Sequence, residues 1–182
     1  MKELSLHIMD IMQNSVVAGA SLIELTVNEQ PEKDVLEFTV TDNGCGMDKE
    51  MVERVIDPYT TGRTTRRVGL GIPLLKLAAE NAGGGIVLES EVGAGTKISA
   101  RFGYNHIDRQ PLGDMSQTMH QLITAYENID FLYVHRVGEK SFEVDTRELK
   151  NVLAGVSFNT PEVMMWLMEF LKEGEAELYG ID

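Results

Sequence analysis

The chain has 182 residues, 43% of them hydrophobic and 25% charged, as expected for one soluble domain with a smaller region attached. Its formal charge of −13 and pI near 4.7 oppose binding to nucleic acid and to anionic membranes. A single cysteine, Cys45, excludes an internal disulfide and argues against a structural zinc site. The first residues lack the apolar core of a signal peptide, and no apolar run reaches the roughly 18 residues that span a membrane. We therefore expect a cytoplasmic protein.

Residues 3–18 have the spacing of an amphipathic helix, whose apolar face would consist of Leu4, Ile8, Ile11, Met12 and Ser15. The opposite side carries His7, Asp10 and Asn14, which line up along the helix. Two interpretations of this row stay open. It is either a solvated face or a set of ligands for a metal–phosphate group, with Asn14 supplying a neutral oxygen and Asp10 accepting a proton.

Two strands are predicted next, at residues 22–27 and 35–41, with a turn between them. The second strand runs into Thr41-Asp42-Asn43-Gly44-Cys45-Gly46-Met47. A carboxylate at a strand end followed by two glycines lets a backbone approach a flat ligand closely. Because Asp-Asn-Gly is also a common turn sequence, the plain-turn interpretation remains open. A short helix is predicted to follow, with Asp48 as its N-cap and its end near Ile56.

Residues 57–68 are predicted to form a loop that is rich in threonine and arginine. Its part Gly62-Arg63-Thr64-Thr65-Arg66-Arg67 holds three arginines within five residues. In so acidic a chain this cluster indicates an anion contact, although solvated loop charges are the alternative.

A helix is predicted after this loop, with Pro73 in its first turn and Gly83 just past its end. Gly69 and Gly71 therefore lie at a helix N-terminus. Unpaired N–H groups and the helix dipole favour anions at such a position.

Residues 86–91 and 96–102 are predicted to be strands of a hairpin. The order of elements so far favours an antiparallel or mixed sheet with helices on one face. We place a domain boundary after residue 103, because the segment that follows is polar and carries Pro111. In the remainder, residues 104–182, an apolar stripe from Met115 to Tyr126 predicts a helix. Two strands are predicted next, at 131–137 and 141–144, and a last helix begins at Pro161 and ends at Gly174. The histidines of this part, at positions 106, 120 and 135, show no ligand spacing.

Four motifs, in this order, resemble those of the GHKL ATPase family, which includes gyrase B, MutL, the large heat-shock chaperone, histidine kinases and anti-sigma kinases. His7-x-x-Asp10-x-x-x-Asn14-Ser15 looks like the N box, and Asp42-Asn43-Gly44-Cys45-Gly46 like the D-x-G-x-G box. Gly69-Leu70-Gly71 resembles the second glycine box, and Gly93-Ala94-Gly95-Thr96 the G-x-G-T ending. No classical P-loop is present.

The resemblance covers residues 1–103 and implies the Bergerat fold. That fold is of the α+β class, a two-layer α/β sandwich in which a mixed, mostly antiparallel sheet carries helices on one face. Residues 104–182 would add a small C-terminal α/β region of unknown function.

The resemblance also implies ATP and Mg²⁺ as ligands. Asp42 would bind the adenine amino group, Thr96 would contact the base, and Asn14 would hold Mg²⁺. Residues 57–68 would form a lid over the phosphates. The implied nucleotide contacts are Asn14, Asp42, Gly44, Gly46, Met47, Thr60, Thr61, Arg63, Gly69, Leu70, Gly71 and Thr96.

One position departs from the family pattern, because Asp10 stands where hydrolysing and anti-sigma members usually carry Glu. Histidine kinases usually carry Asn there, so the chain looks less like them at this position. As a whole it resembles stand-alone histidine-kinase-like or anti-sigma-kinase-like ATP-binding proteins. We expect transfer of the ATP γ-phosphate to water or to a protein Ser/Thr, with Asp10 as base. The alternative is a non-catalytic, ATP-gated module that binds a protein partner through residues 104–182. A homodimer is left open, and neither nucleic acid nor a membrane is expected as partner.

Overall fold

The structure is a computed structural model of the chain, and it describes residues 2–57 and 69–181. One six-stranded sheet organises it. The strands are Leu22–Gln30 (β1), Val35–Asp42 (β2), Gly85–Glu91 (β3), Gly95–Gly103 (β4), Asp130–Val137 (β5) and Lys140–Asp145 (β6). Their order is β3-β4-β2-β1-β5-β6, and every described neighbouring pair is antiparallel except β1 with β5. The predicted α+β sandwich with a mixed, mostly antiparallel sheet is confirmed.

The described helices are Leu4–Val17 (α1), Lys49–Ile56 (α2), Gly71–Asn81 (α3), Met115–Ala125 (α4), Thr146–Leu153 (α5) and Pro161–Leu178 (α6). Alternate residues of β1 and β2 are buried, as the period-2 pattern of a one-sided sheet requires. These residues and the apolar faces of α1, α3, α4 and α6 form one core. The predicted apolar face of α1 is buried as a whole, from Leu4 to Ser15.

The sheet continues across the predicted domain boundary. Strand β5 lies parallel to β1, with Ile23 opposite Phe131 and Leu25 opposite Tyr133. Residues 104–182 therefore share the core of the preceding segment. The division of the chain into domains 1–103 and 104–182 stays a prediction.

A charged cluster, Glu29–His135–Glu175, joins β1, β5 and α6, with Glu29 and His135 buried and Glu175 partly buried. The Nε2 of His135 lies 2.8 Å from Glu29 Oε1, and its Nδ1 lies 2.7 Å from Glu175 Oε2. The Tyr133 hydroxyl donates to Glu175 and the Tyr179 hydroxyl to Glu29. Since a carboxylate only accepts, both ring nitrogens donate, and the geometry is that of an imidazolium. No local sequence pattern predicts this cluster, because its members lie far apart along the chain.

The cluster changes the protonation behaviour of its members. Burial alone would lower the pKa of His135, but the hydrogen bonds to Glu175 and Glu29 outweigh it and raise the pKa to about 9. Burial alone would raise the pKa of Glu29, yet the bonds from His135 and Tyr179 hold it below its ordinary value. Burial is the main cause that raises the pKa of Tyr133. The cluster is therefore built around a charged His135 at neutral pH.

Gly174 does not end the last helix, contrary to the sequence prediction. Helix α6 continues to Leu178, and Gly174 lies buried in its interior. A Cβ at this position would lie 2.1 Å from the Phe142 ring, so the glycine permits close packing of α6 on β6. The chain leaves the helix at Tyr179 and Gly180, and Gly180 has a φ of +68°.

We expect Gly174→Ala to lower the free energy of unfolding by about 1–3 kcal/mol, the usual cost of overpacking a filled core. The higher helix propensity of alanine would by itself act in the opposite direction, by about 1 kcal/mol. Urea unfolding measures the difference. Gly85→Ala is the matched control, because a Cβ there would have no heavy atom within 4 Å. A Gly174→Ala protein as stable as the parent would contradict the tight contact with Phe142.

Candidate functional site

A cavity of about 370 Å³ lies between α1, α2, the start of α3 and strands β2, β3 and β4. The structure brings six of the predicted site residues to its lining: Asn14, Asp42, Gly46, Met47, Gly69 and Thr96. Much of the remaining wall is apolar, formed by Ile11, Val40, Ile72, Leu88 and Ile98. A concave, mostly apolar space with a few polar groups is typical of a site for a flat organic ligand.

Asp42, the last residue of β2, supplies the carboxylate of the cavity. Its Oδ2 accepts a hydrogen bond from Ser15 Oγ at 2.6 Å, and its Oδ1 accepts one from the Gly44 N–H at 2.9 Å. The residue is only 9% exposed, and these two bonds fix the orientation of its side chain. The carboxylate can therefore receive an N–H donor from a ligand without reorganisation.

The two glycines after Asp42 are required by packing within the protein. A Cβ on Gly44 would lie 2.9 Å from the Cβ of Ala18. Gly46 has a φ of +70°, and a Cβ there would lie 1.9 Å from the Glu91 carbonyl oxygen. These contacts hold the loop against α1 on one side and against the β3–β4 hairpin on the other.

Ser90 of β3 connects the loop to the hairpin, and sequence reasoning did not single it out. Its hydroxyl accepts from the Met47 N–H at 2.8 Å and donates to the Gly95 carbonyl at 2.9 Å. It also lies 2.8 Å from the Thr96 hydroxyl. One side chain thus links two of the predicted site residues, Met47 and Thr96.

Asp10 and Gly71 touch each other beside the cavity. A Cβ on Gly71 would lie 1.7 Å from Asp10 Oδ2, so only glycine leaves room for this carboxylate at the start of α3. The first N–H groups of α3 lack intrahelical partners and favour an anion nearby. Leu70, the N-cap residue, is 58% exposed, and Gly69 lies at the cavity wall.

Asn14 lies one turn after Asp10, is exposed and lines the cavity. Within residues 2–57 and 69–181 its side chain makes no hydrogen bond, so its amide oxygen is available to a ligand. The same residues contain no group of three or more His, Cys, Asp or Glu side chains suited to a metal ion. Mg²⁺ needs few protein ligands when phosphates and water supply the others, so a single amide oxygen fits it.

His7 does not share the solvated side of α1 with Asn14. It is 3% exposed and pairs with Gln110 through Nε2 at 3.2 Å, while its Nδ1 is buried without a hydrogen bond. Burial lowers the pKa of His7 below its ordinary value. The interpretation of the whole row as a solvated face is wrong at this position.

Arg54 is a second cavity residue that sequence reasoning missed. It lies on α2, pairs with Glu50 one turn earlier, and is the only Lys or Arg among the described lining residues. The spacing of four residues between Glu50 and Arg54 is visible in the sequence. It does not indicate a site, because helical ion pairs of this kind are common on protein surfaces. Thr60, Thr61, Arg63 and most of the predicted lid lie outside the described residues.

The comparison with protein families gives the chain its class. Residues 2–106 match the family described as histidine kinase-, DNA gyrase B- and HSP90-like ATPases. The match covers more than half of the chain, which therefore belongs to this family, the GHKL class recognised from its motifs. Membership implies that the chain binds ATP.

Histidine kinases are among the curated relatives that the chain resembles. The chain is 38% identical over 82 residues to the histidine protein kinase DivJ of Caulobacter vibrioides, which is 43% of this chain and 14% of that kinase. It is 31% identical over 78 residues to the sensor histidine kinase CitA of Klebsiella pneumoniae, with the same two coverages. The chain thus matches a small part of each kinase.

Solved structures agree in fold. The Aquifex aeolicus MutL ATPase domain, complexed with ADP, superimposes with a TM-score of 0.50 at 14% identity, over 85% of this chain and 70% of that one. The N-terminal domain of a DNA repair protein gives a TM-score of 0.52 at 15% identity, over 80% and 52%. No described helix is long and apolar enough to cross a membrane.

Proposed function

We propose that the protein binds Mg·ATP in this cavity and transfers the γ-phosphate to water or to a protein Ser/Thr. One observation carries the proposal. Asp42 is fixed by Ser15 and Gly44 in a largely apolar cavity that is also lined by Asn14 and by Gly69, just before α3. ATP would fit this arrangement, with the amino group of its adenine donating to Asp42 and its phosphates lying near the start of α3.

The phosphate region would rely on charge neutralisation and positioning, which are the main demands of phosphoryl transfer. The N–H groups at the start of α3 would donate to phosphate oxygens, and Asn14 would hold Mg²⁺. Bound Mg²⁺ supplies positive charge that offsets the charge developing on the phosphate oxygens. We also assign Thr60, Thr61 and Arg63 to this region, on the basis of the family resemblance.

Asp10 is the proposed general base. It would take the proton from water or a hydroxyl group while that oxygen forms a bond to the γ-phosphorus and the bond to the ADP oxygen breaks. Its position against Gly71, at the helix terminus proposed to hold phosphate, supports this role. Because the Asp side chain is one methylene shorter than Glu, the attacking oxygen must lie closer to the backbone of α1 than it would with Glu.

The fate of a labelled γ-phosphate tests the reaction. We expect the protein with Mg²⁺ to release label as free phosphate or to fix it on a protein acceptor. Asp10→Asn should lower turnover at least about 100-fold, within the usual contribution of general base catalysis, while ATP affinity stays within about threefold. Unchanged turnover in Asp10→Asn would remove Asp10 as base.

A second candidate is a regulatory module that binds ATP without consuming it. The observation in its favour is that Asp10 lies beside the cavity and not among its lining residues, with its carboxylate against Gly71. ATP would then shift the position of α3, and a protein partner would bind one of the two positions more tightly. ATP that binds and is recovered intact, with or without an added partner, supports this candidate.

We further propose that residues 104–182 are a distinct C-terminal region that serves as the partner-binding part, in a cytoplasmic protein. The family match ends at residue 106, and α6 presents Met165 and Trp166 to solvent at 67% and 41% exposure. A homodimer is one form that such a partner would take. Sedimentation with and without ATP distinguishes a homodimer from a monomer that awaits another protein.

A further inference from the structure

We propose that Ser90 sets the base specificity of the cavity by holding the Thr96 hydroxyl as a hydrogen-bond acceptor. The nucleotide base that fits would then carry an amino group, and a keto oxygen at the same position would be rejected. This inference rests on the proposed nucleotide site and names a residue that determines its selectivity.

The hydrogen bonds around Ser90 leave one consistent arrangement. A serine hydroxyl has one proton to donate and two lone pairs to accept. The Gly95 carbonyl, 2.9 Å away, can only accept, so it takes the Ser90 proton. The Met47 N–H, 2.8 Å away, can only donate, so it takes one lone pair of Ser90.

The contact between Ser90 and Thr96 is then determined. The two hydroxyl oxygens lie 2.8 Å apart, and Ser90 has no second proton. Thr96 must therefore donate its proton to Ser90, which fills the second lone pair of Ser90. Thr96 retains only lone pairs for the cavity that it lines.

Asp42, like Thr96, offers only hydrogen-bond acceptors to the cavity. Its carboxylate already accepts from Ser15 and Gly44 and has only further lone pairs to offer. Asp42 and Thr96 thus both present acceptors to the cavity. A 6-amino purine brings two N–H donors, directly or through a water, whereas a 6-keto purine places an oxygen against acceptors.

Ser90 acts through Thr96 and not by touching the base. It lies on β3, outside the set of described residues that line the cavity. Ser90 is therefore a positioning residue, and removing its hydroxyl should change selectivity by releasing the Thr96 proton. Once free, that proton can be donated to a keto oxygen.

The experiment compares binding of ATP and of inosine triphosphate, which carries a keto oxygen in place of the amino group. In the parent protein ATP should bind more tightly. In Ser90→Ala the ratio of the two dissociation constants should fall roughly three- to tenfold, the value of one neutral hydrogen bond. Ser90→Thr keeps a hydroxyl and should restore the parent ratio.

The outcomes separate the possible failures. Equal weakening of both nucleotides in Ser90→Ala would mean a purely structural role and would overturn the inference. If Ser90→Ala does not fold, Thr96→Val replaces it, and should weaken ATP while leaving inosine triphosphate unchanged; a loss of equal size for both would again overturn the inference. A parent protein that binds neither nucleotide would instead overturn the proposed function.

Discussion

Replacing His135 with glutamine is expected to lower the free energy of unfolding at pH 7 by about 3–5 kcal/mol, the usual effect of removing one partner from a buried ionic cluster. His135 is fully buried, and both of its ring nitrogens face carboxylates. Glutamine is neutral and can donate to only one side, so either the buried Glu29 or the partly buried Glu175 would keep an uncompensated charge. Chemical denaturation of both proteins at pH 7 measures the difference.

The same substitution should change the pH dependence of stability. The pKa of His135 is raised from 6.5 to about 9 in the folded protein. Its contribution is therefore complete below about pH 6.5 and is lost as the pH rises through 9. A shift of this size corresponds to roughly 3 kcal/mol. Glu29 has a lowered pKa, so its own contribution is present above its unfolded value and is lost as the pH falls.

Other groups around the cluster do not reverse this expectation. Tyr133 and Tyr179 donate to the two carboxylates, and their raised pKa values keep them neutral through this range. Arg109 lies near Glu29 and adds a fixed positive charge. The parent protein should thus lose stability between pH 6.5 and 9.5, and His135→Gln should lose much less over the same interval.

His106→Gln is the matched control, since His106 is exposed and makes no contact with the cluster. It should leave both the stability at pH 7 and its pH profile nearly unchanged. If His135→Gln behaved like His106→Gln, the cluster would not contribute to the attachment of α6 and β5 to β1.

Sequence reasoning succeeded where the signal is local. The apolar period of α1, the N-cap Asp48 and the glycine spacing at residues 44 and 46 are all readable within a few positions, and the elements that they predict are present. The motifs also predict Asp42 and Thr96 as site residues. The two residues lie opposite each other in the sheet, because Asp42 ends β2 and Thr96 lies near the start of the neighbouring strand β4.

The features that were missed depend on contacts between distant segments. Ser90 gains its meaning from Met47 and Thr96, and His135 from a glutamate 106 positions away. The length of α6 was misjudged because a glycine in a helix pattern is read as a stop, whereas Gly174 accommodates a ring on another element. Helix α5 is absent from the elements predicted above, although the capping residue Asp145 and Glu148 three positions later are a local signal for a helix start.

Asp42→Asn is expected to remove measurable ATP binding, with a loss of at least about 100-fold in affinity. The carboxylate of Asp42 accepts from Ser15 and Gly44 and presents acceptors to the cavity. In the variant, the side-chain oxygen of asparagine would still accept from the Gly44 N–H. Its NH₂ group would then face Ser15 and the ligand, so that one donor would meet another, the amino group of the base. Calorimetry measures the affinity directly. The one cysteine gives a second readout, because Cys45 is exposed and lines the cavity, so bound ATP should slow its reaction with a thiol reagent.

Asp48→Asn carries the same chemical change outside the cavity. Asp48 caps α2 by accepting from the Met51 N–H at 2.8 Å, and asparagine serves equally well as an N-cap. This control should bind ATP like the parent and should show the same ATP protection of Cys45. Because Asp42→Asn is nearly isosteric, its unfolding curve should stay close to that of the control, so a loss of binding would not reflect a loss of fold. Retained affinity in Asp42→Asn would show that the base is held elsewhere, and the assignments of Asn14, Thr96 and the start of α3 would fail with it.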